Sequence, residues 1–152
     1  MTVREATDSD FAQLDALAKK FFIEGQMKGE IGKDSFSTGL RKYVEMDVAT
    51  CFTLVDGDAV KGMIGAMVTP DFVTGDLICS EMFWYVDPSH RRQGIKLHRA
   101  LEVEAKNRGC ARIYMVHLAK LNAGKMEKYY LRCGYDPLEV FYSKDLNNEK
   151  GK

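Results

Sequence analysis

From Ile78 to Val86 the chain is a nearly unbroken apolar run, which turns through Asp87-Pro88-Ser89-His90-Arg91-Arg92-Gln93-Gly94 and resumes at Ile95 with apolar residues at helical spacing. This stretch restricts the fold more than any other. The run reads as a strand, bounded behind by Thr74-Gly75-Asp76 and stopped by the Asp-Pro pair. A helix is predicted from about Arg92 to Arg108, with Leu97, Ala100, Leu101 and Ala105 as its stripe, Lys106 and Arg108 in its last turn and Gly109 as its stop. The turn between them is chemically specific. A helix start offers N–H groups without partners and the positive end of the macrodipole, and Gly94 lets a ligand approach the backbone, so the turn can grip a phosphate.

The elements around this unit follow from periodicity. Thr2 to Ala6 is a short strand, and Thr7-Asp8-Ser9-Asp10 caps a helix carrying Phe11, Leu14, Leu17, Ala18, Phe21 and Phe22 to about Gly25. Asp34-Ser35 caps a second helix with Leu40, Tyr43, Val44 and Met46. Thr50 to Val55 and Ala59 to Val68 flank Asp56-Gly57-Asp58, a hairpin signal, and the strand from Ile78 completes a meander. Beyond the helix, Arg112 to Leu118 reads as a strand reached by a right-handed parallel crossover. A short helix from Lys125 to Cys133 stops at Gly134, and Tyr135 to Lys144 reads as a final strand interrupted by Pro137. The order β α α β β β α β α β makes an α/β (α+β) fold: a mixed, mostly antiparallel sheet with flanking helices.

At 152 residues the chain is expected to form one domain, 1–152, with 147–152 a frayed tail. Its 22 basic and 22 acidic residues cancel, so bulk charge favours neither nucleic acid nor an anionic membrane. Met1-Thr2-Val3-Arg4-Glu5 lacks the layout of a signal peptide, and no apolar run approaches the roughly 18 residues of a membrane span, which predicts a cytoplasmic protein. Cys51, Cys79, Cys110 and Cys133 are far apart, and His90, His98 and His117 have no metal-ligand spacing. Free thiols and no metal are expected.

Two segments resemble the GNAT superfamily of acyl-CoA-dependent N-acyltransferases. Arg91-Arg92-Gln93-Gly94-Ile95-Lys96 matches its signature of Gln or Arg, two residues, Gly, one residue, then Gly or Ala, except at Lys96. Tyr129-Tyr130-Leu131-Arg132-Cys133-Gly134-Tyr135 resembles the family's aromatic-Tyr-x-x-x-Gly-aromatic segment. With the element order, the resemblance covers Thr2 to about Leu146. It implies acetyl-CoA as acyl donor, held between two splayed parallel strands, here Ile78 to Val86 and Arg112 to Leu118. Tyr85 and Val86 would offer strand backbone to the pantetheine arm. The amides of Arg91, Arg92, Gln93, Gly94, Ile95, Lys96 and Leu97 would hold the pyrophosphate, with Asn122 a further cofactor-binding residue. Such a gap leaves backbone groups that a ligand's amides can satisfy. Lys96 replaces a small residue; its side chain either obstructs the phosphates or swings outward.

Acyl transfer to an amine needs a neutral nucleophile, stabilisation of the oxyanion and a proton for the departing thiolate. The resemblance gives Tyr130 the role of acid; otherwise it is a core aromatic. Glu81 is the candidate base, placed by alternation on one face with Phe83 and Tyr85, opposite Met82, Trp84 and Val86. A solvent-facing or ion-paired Glu81 is the alternative, and Glu24 and Glu30 are weaker candidates. An amide of the strand from Glu81 to Val86 would be the oxyanion donor, as in similar proteins. Cys133 has no adjacent histidine to activate it, so direct attack by the amine is favoured. His117 is either an acceptor contact or a satisfied, partly buried histidine. The expected function is an N-acetyltransferase acting on a primary amine of a small molecule or protein. The alternative is a non-catalytic acyl-CoA-binding or protein-interaction module. The final strand can also pair across a homodimer.

Overall fold

A computed structural model describes residues 1–121 and 123–146. Five strands form one sheet in the order β1 (Thr2–Glu5), β2 (Ala49–Asp56), β3 (Ala59–Pro70), β4 (Leu77–Val86) and β5 (Arg112–Tyr114). The first three pairings are antiparallel and the β4–β5 pairing is parallel. Helices α1 (Phe11–Glu24) and α2 (Ser35–Glu45) precede β2, α3 (Ile95–Asn107) makes the crossover to β5, and α4 (Ala123–Arg132) follows β5.

The sheet is covered on both faces, which is why β2 is buried from Ala49 to Val55 rather than alternating. On one face Leu14, Leu17 and Leu40 of α1 and α2 pack on Cys51, Val55, Met63 and Tyr85. On the other, Leu97, Leu101 and Ala105 of α3 pack on Phe52, Leu54, Ile64, Ala66 and Val86. The start of α1 is fixed by Asp10, whose carboxylate accepts two bonds from Arg4, at 2.6 and 2.9 Å, and one from the Thr7 amide at 2.8 Å. The hairpin turn after Asp56 needs a left-handed residue, and Gly57 supplies it at φ 58°. Among the described residues no helix is long and apolar enough to cross a membrane.

Three expectations change. A turn of 3-10 helix, Pro88–Gln93, takes up the basic segment, so α3 itself begins at Ile95. β5 pairs only from Arg112 to Tyr114, instead of continuing to Leu118. The segment from Tyr135 to Lys144 is not a strand: it lies off the sheet, with Leu138, Val140, Phe141 and Tyr142 exposed. A strand exists only by pairing, and among the described residues this segment is hydrogen-bonded into no sheet.

Candidate active site

The site is built where β4 outlasts its partner. β5 is hydrogen-bonded to β4 only opposite Ile78, Cys79 and Ser80, so from Glu81 to Val86 one edge of β4 faces no strand among the described residues. A bulge sits at the same place. Gly65 pairs with Phe83 and Ala66 with Glu81, which leaves Met82 without an opposite residue. The bulge is seated by Gly65, where a Cβ would fall 2.1 Å from the ring of Phe83.

This bulge corrects the predicted faces. Cross-strand partners share a face, and Ala66, opposite Glu81, belongs to the α3-side core, as do Trp84 and Val86. Phe83 and Tyr85 belong to the α1 side. Glu81 therefore lies with Trp84 and Val86, not with Phe83 and Tyr85, because the extra residue at Met82 resets the alternation.

The two candidate catalytic residues come together on one peptide segment. Glu81, 5% exposed, accepts the Val116 amide N–H at 3.1 Å. Tyr130, 7% exposed, donates its hydroxyl to the Val116 carbonyl at 2.8 Å. Val116 lies just beyond the last paired residue of β5, and the two side chains satisfy the backbone groups that β4 no longer reaches. Burial pushes the Glu81 carboxyl up to about 8, the Val116 N–H opposing the shift. Burial first, then the Glu81 and Tyr129 charges, raise Tyr130 above the usual phenol range, so it rests protonated.

The basic turn is braced from α1. Lys20 pairs with Asp87 at 2.7 Å, and Glu24 accepts bonds from Arg91 and, at 2.6 Å, from the Tyr85 hydroxyl. Arg91 also donates to the Val86 carbonyl at 3.4 Å. Arg92 is exposed, Gln93 and Ile95 are half-buried, and Gly94 is buried. A Cβ at Gly94 would stand 3.2 Å from both the Arg91 carbonyl and the Val86 side chain. The amides of Gly94 and Leu97 are engaged inside the turn, with Arg91 and Gly94 carbonyls respectively. The Leu97 side chain is core. Lys96 swings outward, its Nζ 3.4 Å from the Met1 carbonyl, leaving the approach to Gly94 unobstructed by that ion. Asn122 lies outside the described residues.

An acyl-CoA fits this arrangement on two counts. The open edge of β4 offers main-chain groups of the kind that pair with amides, and Gly94 puts no side chain over the backbone at the helix start. Glu30 is exposed and takes no part in these contacts, and Glu24 is committed to Arg91 and Tyr85. His117 is exposed, its ring stacked 6.3 Å from that of Tyr130. Cys133 is exposed, and all four thiols are free.

Sequence reasoning missed His98. It is 1% exposed, its Nδ1 lies 2.7 Å from the Tyr129 hydroxyl and its Nε2 2.9 Å from the Tyr135 hydroxyl. The available signal was its place three residues before Leu101 and seven before Ala105, on the buried stripe of α3.

The sequence pattern of the acetyltransferase (GNAT) family matches residues 13–135. No curated protein matches the chain. Among solved structures, a transcriptional regulator from Bacillus halodurans C-125 is similar at 19% identity and a TM-score of 0.79, over 95% of this chain and 99% of that one. AAC(6')-Iy, in complex with the bisubstrate analog CoA-S-monomethyl-acetylneamine, is similar at 18% identity and a TM-score of 0.75, over 95% and 97%. A Clostridium acetobutylicum protein described as a predicted acetyltransferase, with acetyl-CoA, is similar at 16% identity and a TM-score of 0.76, over 98% of both chains.

Proposed function

We propose that this chain, which belongs to the acetyltransferase (GNAT) family, moves an acetyl group from acetyl-CoA to a primary amine by direct attack. The observation that carries this reading is the joint hold of Glu81 and Tyr130 on Val116, at the place where β4 and β5 part. Acetyl-CoA supplies the activated acetyl group. The turn from Arg91 to Leu97 holds its pyrophosphate, and the main chain of Tyr85 and Val86 holds its pantetheine arm. An amide of the strand from Glu81 to Val86 receives the developing oxyanion charge.

Glu81 acts as base. Once ionised, as pH rises towards 8, a carboxyl held at about 8 is a stronger base towards a primary ammonium than an exposed carboxylate. Tyr130 acts as acid, giving its proton to the departing thiolate in exchange for its bond to the Val116 carbonyl. The acceptor is a cationic amine, of a polyamine, an aminoglycoside or a lysine side chain. Acetyl-CoA turnover against spermidine, kanamycin and a lysine-bearing peptide tests this. Turnover of one is expected; saturable acetyl-CoA binding with none turned over would turn the reading into that of a non-catalytic binding module.

The exposed segment after α4 supports a homodimer. Leu138, Val140, Phe141 and Tyr142 face solvent, β5 has an unpaired edge among the described residues, and the chain carries no net charge to repel a second copy. Sedimentation should show a dimer that Phe141→Asp dissociates. A monomer at all concentrations would end this proposal.

A further inference from the structure

His98 is the centre of a hydrogen-bonded chain whose direction is fixed at one end. Glu102 accepts the Tyr135 hydroxyl proton at 2.8 Å, so the Tyr135 oxygen is left to accept from the Nε2–H of His98 at 2.9 Å. A neutral imidazole then has a bare Nδ1, which receives the Tyr129 hydroxyl proton at 2.7 Å. Burial favours this uncharged ring, as does Arg99, against the opposing charge of Glu102.

The chain ends beside Tyr130. The His98 ring stacks 5.6 Å from Trp84 and meets the rings of Tyr129, Tyr130 and Tyr135 at 5.4, 6.4 and 5.6 Å. Tyr130 is the only buried side chain of α4. A helix with so little apolar anchorage depends on polar bonds for its placement: Tyr129 ties α4 to His98 of α3, and Tyr135, just past the end of α4, bonds to His98 and to Glu102 of α3. Misplacement of a catalytic group by about 1 Å can cost on the order of 10²-fold in rate.

We propose that His98, as the neutral bridge between Tyr129 and Tyr135, is a positioning residue that sets Tyr130 for proton donation. It touches neither the donor nor the acceptor and acts through α4. The inference rests on Tyr130 being the general acid. His98→Phe keeps a ring in the cluster and removes both bonds; Tyr129→Phe removes one hydroxyl and serves if the first variant does not fold.

The test compares wild type, these variants, Tyr130→Phe and the double variant His98→Phe with Tyr130→Phe, using acetyl-CoA and whichever of spermidine, kanamycin and a lysine-bearing peptide wild type turns over. His98→Phe should lower kcat about 10-fold while the calorimetric acetyl-CoA affinity stays within about 2-fold. The double variant should be no slower than Tyr130→Phe alone, since an absent acid needs no placing. Multiplying losses, or a matching loss of acetyl-CoA affinity, overturn the role of His98 and leave Tyr130 standing. If Tyr130→Phe is as fast as wild type, or wild type turns over none of the three amines, the acid assignment falls and the positioning role falls with it. Nitrogen-15 shifts give a separate readout: Nδ1 of His98 should be unprotonated, and a proton there overturns the bridge.

Discussion

Glu81 and Tyr130 hold opposite ends of one residue: Glu81 accepts the Val116 N–H at 3.1 Å and Tyr130 donates to the Val116 carbonyl at 2.8 Å. Glu81 and Val116 are 35 positions apart in sequence and Val116 and Tyr130 are 14 apart, so the site exists only through the crossover. The first expectation concerns the phenol. Tyr130→Phe retains the ring among Trp84, His98, His117, Tyr129 and Tyr135 and removes one proton. Turnover should fall by roughly 10² or more with acetyl-CoA affinity retained. An unchanged rate with an acceptor that wild type acetylates removes Tyr130 from the role of acid.

Glu81 predicts a pH dependence of stability. Its folded-state value is about 8 against an ordinary 4.5, so between those values the folded chain keeps a proton that the unfolded chain has lost. Stability from this group is therefore fully present below about pH 4.5 and is lost as pH rises towards 8. Asp10 runs the other way, its carboxyl held down at about 2 chiefly by the Arg4 hydrogen bonds, and loses its contribution only in acid. Glu81→Gln keeps an oxygen for Val116 and never charges. The gap in urea midpoint between Glu81→Gln and wild type should move steadily in the variant's favour from pH 5 to pH 8; parallel curves would show that Glu81 is not the buried acid described. If Glu81 is also the base, the wild-type rate climbs towards pH 8 and the variant loses that limb.

Gly94 carries the donor prediction. A valine there would bring its Cβ to about 3.2 Å from both the Arg91 carbonyl and the Val86 side chain, and would add two methyl groups at the helix start. Acetyl-CoA affinity should weaken about 10-fold or more, with Gly94→Ala intermediate, as calorimetry can measure. An affinity equal to wild type would remove the pyrophosphate from this turn.

Much of this was legible in the residues, because it was local. The hairpin at Asp56-Gly57-Asp58, the capping segment Thr7 to Asp10 ahead of α1, the strand into the basic turn and the order up to α4 all follow from spacing and turn chemistry, and the structure keeps them. What sequence reading lost was set by pairing across the chain. A period-of-two count placed Glu81 with Tyr85, and only the register with β3 reveals the extra residue at Met82. Tyr135 to Lys144 has the composition of a strand and is paired with no strand among the described residues, while His98 reads as a polar helix residue until Tyr129 and Tyr135 are folded against it.

The bulge itself can be tested at Gly65. An added Cβ would lie 2.1, 2.6 and 2.7 Å from three ring atoms of Phe83, so the ring must move if alanine is introduced. Phe83 is not free to move without cost, because its ring meets Phe36 of α2 edge to face at 4.9 Å. Gly65→Ala should therefore destabilise the fold by about 1–3 kcal/mol, the usual range for overpacking a filled core. It should also shift the strand that positions Glu81, two residues from Phe83. Denaturant unfolding measures the first effect and the pH profile of turnover the second. A variant as stable as wild type, with the same profile, would mean that Phe83 has somewhere else to go and that the bulge is not seated by this glycine.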